Sequence, residues 1–193
     1  MRHRRKGRTL GRSPSHQRAL LRNLASALFL TERDAEDDDN KPKVKGRIIT
    51  TVQKAKEVRP LVERCITLAC KALPAQQEAD KFGTTAARQS EAWASWRKSD
   101  KYQKWNQAIA PLVVARRRAL VLLGDKQAVR ILFAEVAPRF VDRNGGYTRV
   151  LRLAKPRLGD AGTRAILEFV GVRDRVSERA VRPSFENAGE ATS

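Results

Sequence analysis

Two cysteines in 193 residues, Cys65 and Cys70, are too few for a disulfide framework. Five positions apart on a helix they would point about 140° from each other. They read as two small apolar core residues of a reducing compartment. Long apolar runs are missing as well: residues 20–30 and 111–123 are interrupted or fall short of the roughly 18–20 residues that span a bilayer, so no membrane partner is expected. No apolar segment follows the basic N-terminus, so no secretory signal is expected. Acid is the scarcest commodity relative to its opposite. The chain has 21 Asp+Glu against 40 Lys+Arg, leaving a formal charge of +19. Folding gives no reason for such an imbalance, because like charges repel in a compact chain; a polyanionic partner does.

Catalytic and metal-binding constellations are also lacking. The two histidines, His3 and His16, lie in an acid-free stretch, so neither has a local carboxylate to orient it as a general base. They are far in sequence from Cys65 and Cys70, and four zinc ligands at finger spacing do not occur. Six acids between Glu32 and Asp39 form the one carboxylate cluster, but it reads as a loop beside a proline rather than as a metal-nuclease scaffold. Arg143-Asn144-Gly145-Gly146 is glycine-rich yet lacks the Gly-Lys-Ser/Thr of a phosphate-binding loop and leads into a strand. The expectation is a protein that is not an enzyme, with no cofactor, no metal and no small-molecule substrate.

What is present is a basic chain with clear helical and strand segments. The first 22 residues hold eight Arg/Lys and no acid. Up to Arg12 they lack periodicity and should form an extended arm. Ser13-Pro14 reads as an N-cap with proline at the first helical position. The apolar residues Leu20, Leu21, Leu24, Ala25, Leu28 and Phe29 then follow at helical spacing. Arg18 and Arg22, four apart, share a face of that helix. The acid-rich segment 32–39 is most simply a solvated loop; the sharper reading is a contact for a basic neighbour protein. Residues 47–51 read as a short β-branched strand and 53–73 as a helix that Pro60 kinks or delays.

Residues 74–110 carry Trp93, Trp96, Trp105 and Tyr102 and read as a helical insertion. Trp93 and Trp96 would share one helical face, while Trp105 would begin a separate patch with Ile109 and Leu112. The interleaved aromatics and cations are either a stacking platform for unpaired bases or a satellite core. A further helix is expected from Pro111 to Leu123, closed by Gly124, with Arg116, Arg117 and Arg118 in its middle, then one capped by Asp125. Residues 147–153 and 163–170 look like the arms of a β-hairpin, and from about Pro183 the chain loses periodicity.

Each basic group alone is a solvated face, but several on one chain of this charge make a multi-point phosphate surface. The candidate contacts are Arg2, Arg4, Arg5, Lys6, Arg8 and Arg12 of the arm, and Arg18 and Arg22 of the first helix. The remainder are Arg139, Arg143, Gly145, Gly146, Tyr147 and Arg149, in a basic series that runs on to Arg152. Gly145-Gly146 would let backbone N–H groups approach a phosphate, and Tyr147 would either stack on a base or pack inward. A basic arm on a small α+β body suits folded RNA; an architectural DNA-binding protein is the alternative.

The residues also carry a resemblance. Met1-Arg2-His3, Leu10, Arg12, His16, Ala19 and Arg22-Asn23-Leu24 form a first block. Ile48-Ile49-Thr50-Thr51 with Lys54-Ala55-Lys56-Glu57-Val58-Arg59 form a second. The third is Leu132-Phe133, Glu135, Pro138-Arg139-Phe140, Arg143, Gly145-Gly146-Tyr147-Thr148-Arg149-Val150 and Arg157-Leu158-Gly159-Asp160. In order and spacing these resemble the L-seventeen family of bacterial large-subunit ribosomal proteins, over roughly two thirds of the chain. Gln17 stands where that family usually has a cation. Because the Met-Arg-His start falls at residue 1, no cleaved presequence is expected.

The resemblance implies a small two-layer α+β fold, and makes Arg2, His3, Arg4, Arg12 and His16 of the arm and its root, with Arg143, Gly145, Gly146, Tyr147 and Arg149, RNA contacts or their supports. Together with the residue pattern above, the expectation is several helices packed on a small sheet with a C-terminal β-hairpin, a basic N-terminal arm and a helical insertion that the shorter family form lacks. It implies a cytoplasmic constituent of the large ribosomal subunit. Its partners would be large-subunit rRNA of the 23S type and neighbouring large-subunit proteins near the nascent-chain exit. The expected organisation is an arm over 1–12, one α+β domain over 13–172 with additions at 31–45 and 73–110, and a C-terminal extension over 173–193.

Overall fold

A computed structural model describes residues 7–35 and 38–171. The tail after 171, the arm residues before 7, and Glu36 and Asp37 lie outside the described residues. Helix α1 spans Pro14–Leu30, entered from an extended Ser13 with proline at its first position. Strand β1, Arg47–Thr51, runs directly into α2, Val52–Asp80. Two further helices follow, α3, Glu91–Arg97, and α4, Asp100–Leu123. Asp125 then caps α5, Lys126–Ile131, its carboxylate accepting the Gln127 N–H at 2.8 Å. A π-turn over Leu132–Val136 and a 3-10 turn over Ala137–Phe140 lead to β2, Thr148–Arg152, and β3, Arg164–Phe169.

The three strands form an antiparallel sheet in the order β1-β3-β2, so the last strand is the central one. Period-2 alternation sends Ala165, Leu167 and Phe169 of β3 inward against the helices, where all three are buried. Phe29 of α1 and Phe140 meet Phe169 there, with ring centroids 5.7 and 6.3 Å away, and Tyr147 packs on Phe140 at 5.2 Å. This is the helices-on-sheet layering expected of an α+β chain with a C-terminal hairpin. Cys65 is buried in α2 and Cys70 half-buried, both as free thiols; burial pushes the Cys65 thiol up to about 12.

Three expectations are corrected. Helix α2 does not stop near residue 73, and α4 does not begin at Pro111 but at Asp100. Pro60, Pro74 and Pro111 all sit inside helices, each with an exposed ring. The carbonyls four residues earlier lose their helical partner, but on the outer side of the hairpin water can replace it. Pairing of α2 with α4 along the hairpin then offsets the proline cost of about 3 kcal/mol each. Trp105 does not start a separate patch: its ring centroid lies 5.7 Å from Trp96 and 5.9 Å from Tyr102. The aromatics form one satellite cluster, as the packing reading expects.

The acid-rich segment is also not simply solvated. Glu32 is buried, and its carboxylate accepts two hydrogen bonds from Arg139, at 3.0 and 2.9 Å. It lies against Gly46, where a Cβ would stand 2.8 Å from Oε1, so only glycine admits the carboxylate. Thr31 Oγ1 accepts the Gly46 N–H at 3.0 Å, and the Gly46 carbonyl accepts from Phe169 at 3.0 Å. Further along, Arg33 pairs with Asp38 at 3.3 Å and donates to the Asn40 carbonyl at 2.8 Å. The loop is thus stitched to the sheet at one end and to itself beyond.

Candidate nucleic-acid interface

The arm residues Arg2, His3, Arg4, Arg5 and Lys6 lie outside the described residues. Where the description begins, the chain is tied to two helices. Arg8 Nε stands 3.4 Å from Glu57 of α2, and the Arg8 carbonyl accepts a hydrogen bond from the Gln17 side-chain amide. The departure from a cation at position 17 therefore has a local consequence: an amide donor anchors the arm to α1. Arg12 donates to the His16 ring, 2.9 Å to Nε2, and both side chains are exposed at the head of α1.

Arg18 and Arg22 do share a face. With Ser15, Ala19 and Asn23 they line one wall of a groove of about 650 Å³, and Leu123, Gly124 and Asp125 at the end of α4 line the other. Ser26, buried at the base, donates to the Leu123 carbonyl at 3.0 Å and holds the two helices together. Among the described residues neither arginine has a carboxylate or hydrogen-bond partner for its side chain. Both guanidinium groups stand out from a rigid helix into solvent.

A second basic groove, about 710 Å³, runs between the start of α2 and the edge strand β2. Lys56, Arg59, Arg149 and Arg152 line it, with Glu63 between them. Glu63 Oε1 accepts from Arg59 Nε and from Thr148 Oγ1, each at 3.0 Å. Lys56 and Arg59 were not among the expected site residues. Their three-residue spacing, which puts both on one helical face, is the signal that would have found them.

The other expected contacts divide. Arg139 serves the fold: it is held bidentately by the buried Glu32, and those hydrogen bonds raise its pKa above the ordinary arginine value. Arg149 stands across the sheet from Glu168, its register partner, with Nε 2.6 Å from Oε1. Arg47, the register partner on the other side, lies 4.0 Å from the same carboxylate. Tyr147 takes the inward alternative: it is 4% exposed, packed on Phe140, and its ring is not available to stack on a base. Gly145 and Gly146 adopt φ of 98° and 61°, a left-handed turn that an L side chain rarely enters. Arg143, an exposed side chain, closes that turn by donating from Nε to the Gly145 carbonyl at 3.1 Å.

The run 116–118 is not one patch either. The Arg116 guanidinium lies 5.4 Å from the Phe133 ring centroid, whereas Arg117 and Arg118 join Arg64 and Lys71 around a groove of about 770 Å³ floored by Leu68, Val121 and Leu122. Among the described residues no cluster of three or more His, Cys, Asp or Glu could hold a metal ion. No described helix is long and apolar enough to cross a membrane.

The sequence pattern of the family described as "Ribosomal protein L17" matches residues 20–170. A "Large ribosomal subunit protein bL17" of Rhodopirellula baltica is 66% identical over 186 residues, covering 96% of this chain and 89% of the relative. Another of the same name, from Nitratidesulfovibrio vulgaris, is 36% identical over 184 residues, covering 95% and 98% respectively. A third, from Lactobacillus helveticus, is 36% identical over 164 residues, covering 84% and 98%. With basic grooves on an α+β body and this breadth of similarity, the chain belongs to the ribosomal protein L17 family.

Proposed function

We propose that this chain is a structural constituent of the large ribosomal subunit, in the cytoplasm, that binds and stabilises folded large-subunit rRNA. Its family supplies no reaction, and its contribution is not enzymatic. The observation that carries the RNA contact is the α1 groove, where Arg18 and Arg22 face solvent and, among the described residues, form no ion pair, the Asp125 carboxylate of the far wall being engaged by the Gln127 N–H. A phosphate backbone completes that charge, and each contact releases condensed counterions.

In this reading the arm over 1–12 threads between rRNA helices, starting from the anchor at Arg8 and Gln17. The body docks through the α1 groove and the Lys56–Arg59–Arg152 groove, with Arg143 at the loop beside them. The segments 31–45 and 73–110, and the extension over 173–193, are additions to a shorter common form. The neighbours are other large-subunit proteins near the nascent-chain exit, a placement that rests on the family resemblance.

Sedimentation of cell extract through a gradient at raised salt tests the assignment. A nonspecific binder with 6–10 phosphate contacts loses about 10³–10⁵ in affinity between 50 and 200 mM salt. Co-migration with large subunits at one copy each is expected at the higher salt. Release into light fractions, or partition toward DNA, would overturn the reading. Crosslinking within intact subunits then reads out the neighbours, and crosslinks confined to proteins remote from the exit would remove the exit placement.

A further inference from the structure

The end of the α2–α4 hairpin has no role in the core, yet it is built with care. Between residues 81 and 105 six cations, Lys81, Arg88, Arg97, Lys98, Lys101 and Lys104, face two acids, Glu91 and Asp100. Both acids sit in the first turn of a helix, where the helix dipole already favours negative charge. Among the described residues none of the six cations forms an ion pair.

A merely solvated lysine face would need no scaffold, but this one has a stiff scaffold. Ser90 caps α3 by accepting the Trp93 N–H at 3.2 Å, and Trp96 Nε1–H donates to the Phe82 carbonyl at 3.1 Å. Trp96 sets its edge against Tyr102 and Trp105, with centroids 5.2 and 5.7 Å away, while Tyr102 and Trp105 stack on each other. No residue of α3 is buried, so this cluster serves the tip itself.

Arg97 is the product of that scaffold. Its guanidinium lies 5.0 Å from the Trp93 centroid and 5.8 Å from that of Tyr102. Stacking on aromatic rings engages the guanidinium through its face and leaves its N–H edge available. Among the described residues that side chain donates no hydrogen bond. A guanidinium held this way has already lost its rotamer freedom and presents a planar fork that matches a phosphate bidentately. Lys98 follows it directly, and Lys101 and Lys104, three apart on α4, share a face.

The chemistry of the tip selects a polyanion over a protein. Seven large apolar side chains of the described residues are well exposed, and none lies between 81 and 105. The aromatic rings of the tip, each half-buried, are taken up by their own cluster, whereas a run of phosphates needs only the cations.

We infer that the tip of the α2–α4 hairpin is a second RNA contact, in which Arg97, seated on Trp93 and Tyr102, clamps a phosphate of folded rRNA while Lys98, Lys101 and Lys104 track its neighbours. The inference rests on the rRNA reading above. The 24 residues of α4 span about 36 Å, so the tip reaches a different stretch of RNA from the α1 groove.

The test measures binding of the full chain to deproteinised large-subunit rRNA across a salt series, for wild type and for a variant carrying R97Q, K98Q, K101Q and K104Q. Near-UV circular dichroism of the tryptophan cluster checks that the tip stays folded. Four lost contacts should flatten the log K against log salt slope by roughly 3, at about 0.7–0.9 per phosphate. As a measurement without substitutions, Lys98, Lys101 and Lys104 of the wild-type chain should be protected from acylation when rRNA is bound. An unchanged slope with unprotected lysines, while the wild type binds normally, overturns the tip contact alone, whatever protein the tip crosslinks to. A wild-type chain that did not bind rRNA would overturn the rRNA reading and this inference with it.

Discussion

At the sheet, Glu168 stands between Arg47 and Arg149 and the buried Glu32 grips Arg139, whereas at the end of the α2–α4 hairpin six cations stand without an ion pair among the described residues. Both regions hold more cations than acids and differ in where the acids sit. In the sheet the carboxylates lie at register positions or at a close backbone approach, so they take up the cations around them. At the tip they are confined to helix starts, and the cations face outward. A net charge of +19 therefore overstates the RNA-binding surface of one region and describes that of the other.

The aromatic residues sharpen the contrast most. Tyr147 lies in the core against Phe140, so Tyr147→Ala should cost about 3–5 kcal/mol in urea unfolding, the range for deleting a buried ring. Trp105→Ala should cost only about 1–2 kcal/mol, because its ring is half-buried in a satellite cluster, and should disturb the tip without loosening the sheet. Equal losses for the two variants would show that tip and body share one core.

Next come the acids. Glu168→Ala leaves Arg47 and Arg149 side by side without the carboxylate between them and should cost about 2–3 kcal/mol, below the range for a fully buried pair because both arginines are about one-third exposed. Glu32→Ala should cost a similar amount by freeing Arg139. Asp100→Ala at the tip should cost no more than about 1 kcal/mol, the worth of an acid at a helix start. If Glu32→Ala left stability unchanged but displaced a ribosomal neighbour, the acidic segment would be a protein contact after all. Arg149→Glu, attractive as an interface mutation, would set two carboxylates at opposed register positions, so its effect on subunit incorporation must be read together with unfolding.

The parts of this molecule that were legible in the sequence are those governed by neighbours in the chain. Ser13-Pro14 starts α1, Asp125 caps α5, and the alternation around Val150 and Ile166 marks the hairpin, each by a rule acting within a few residues. The fate of Pro74 and Pro111 was not legible, because what keeps the helices running through them is packing of α2 on α4. Nor was the division of the arginines. Glu32 and Arg139 are 107 residues apart, and Glu168 meets Arg47 only because β3 inserts between β1 and β2. Local pattern located the basic residues, whereas long-range contacts decided which of them remain available.

The smallest expected effect on stability is therefore the most informative about function. Arg18 and Arg22 line their groove without a partner for their side chains among the described residues, so R18Q with R22Q removes no interaction from the fold. The melting free energy should change by less than about 0.5 kcal/mol, as for surface positions away from special features. Affinity for deproteinised large-subunit rRNA should nevertheless fall, with the salt slope flattened by roughly 1.5 for two lost phosphate contacts. Loss of stability with an unchanged slope would place these arginines with Arg139, among the cations that serve the fold. The expected combination, an intact fold and a flatter slope, separates binding charge from structural charge on one helix face.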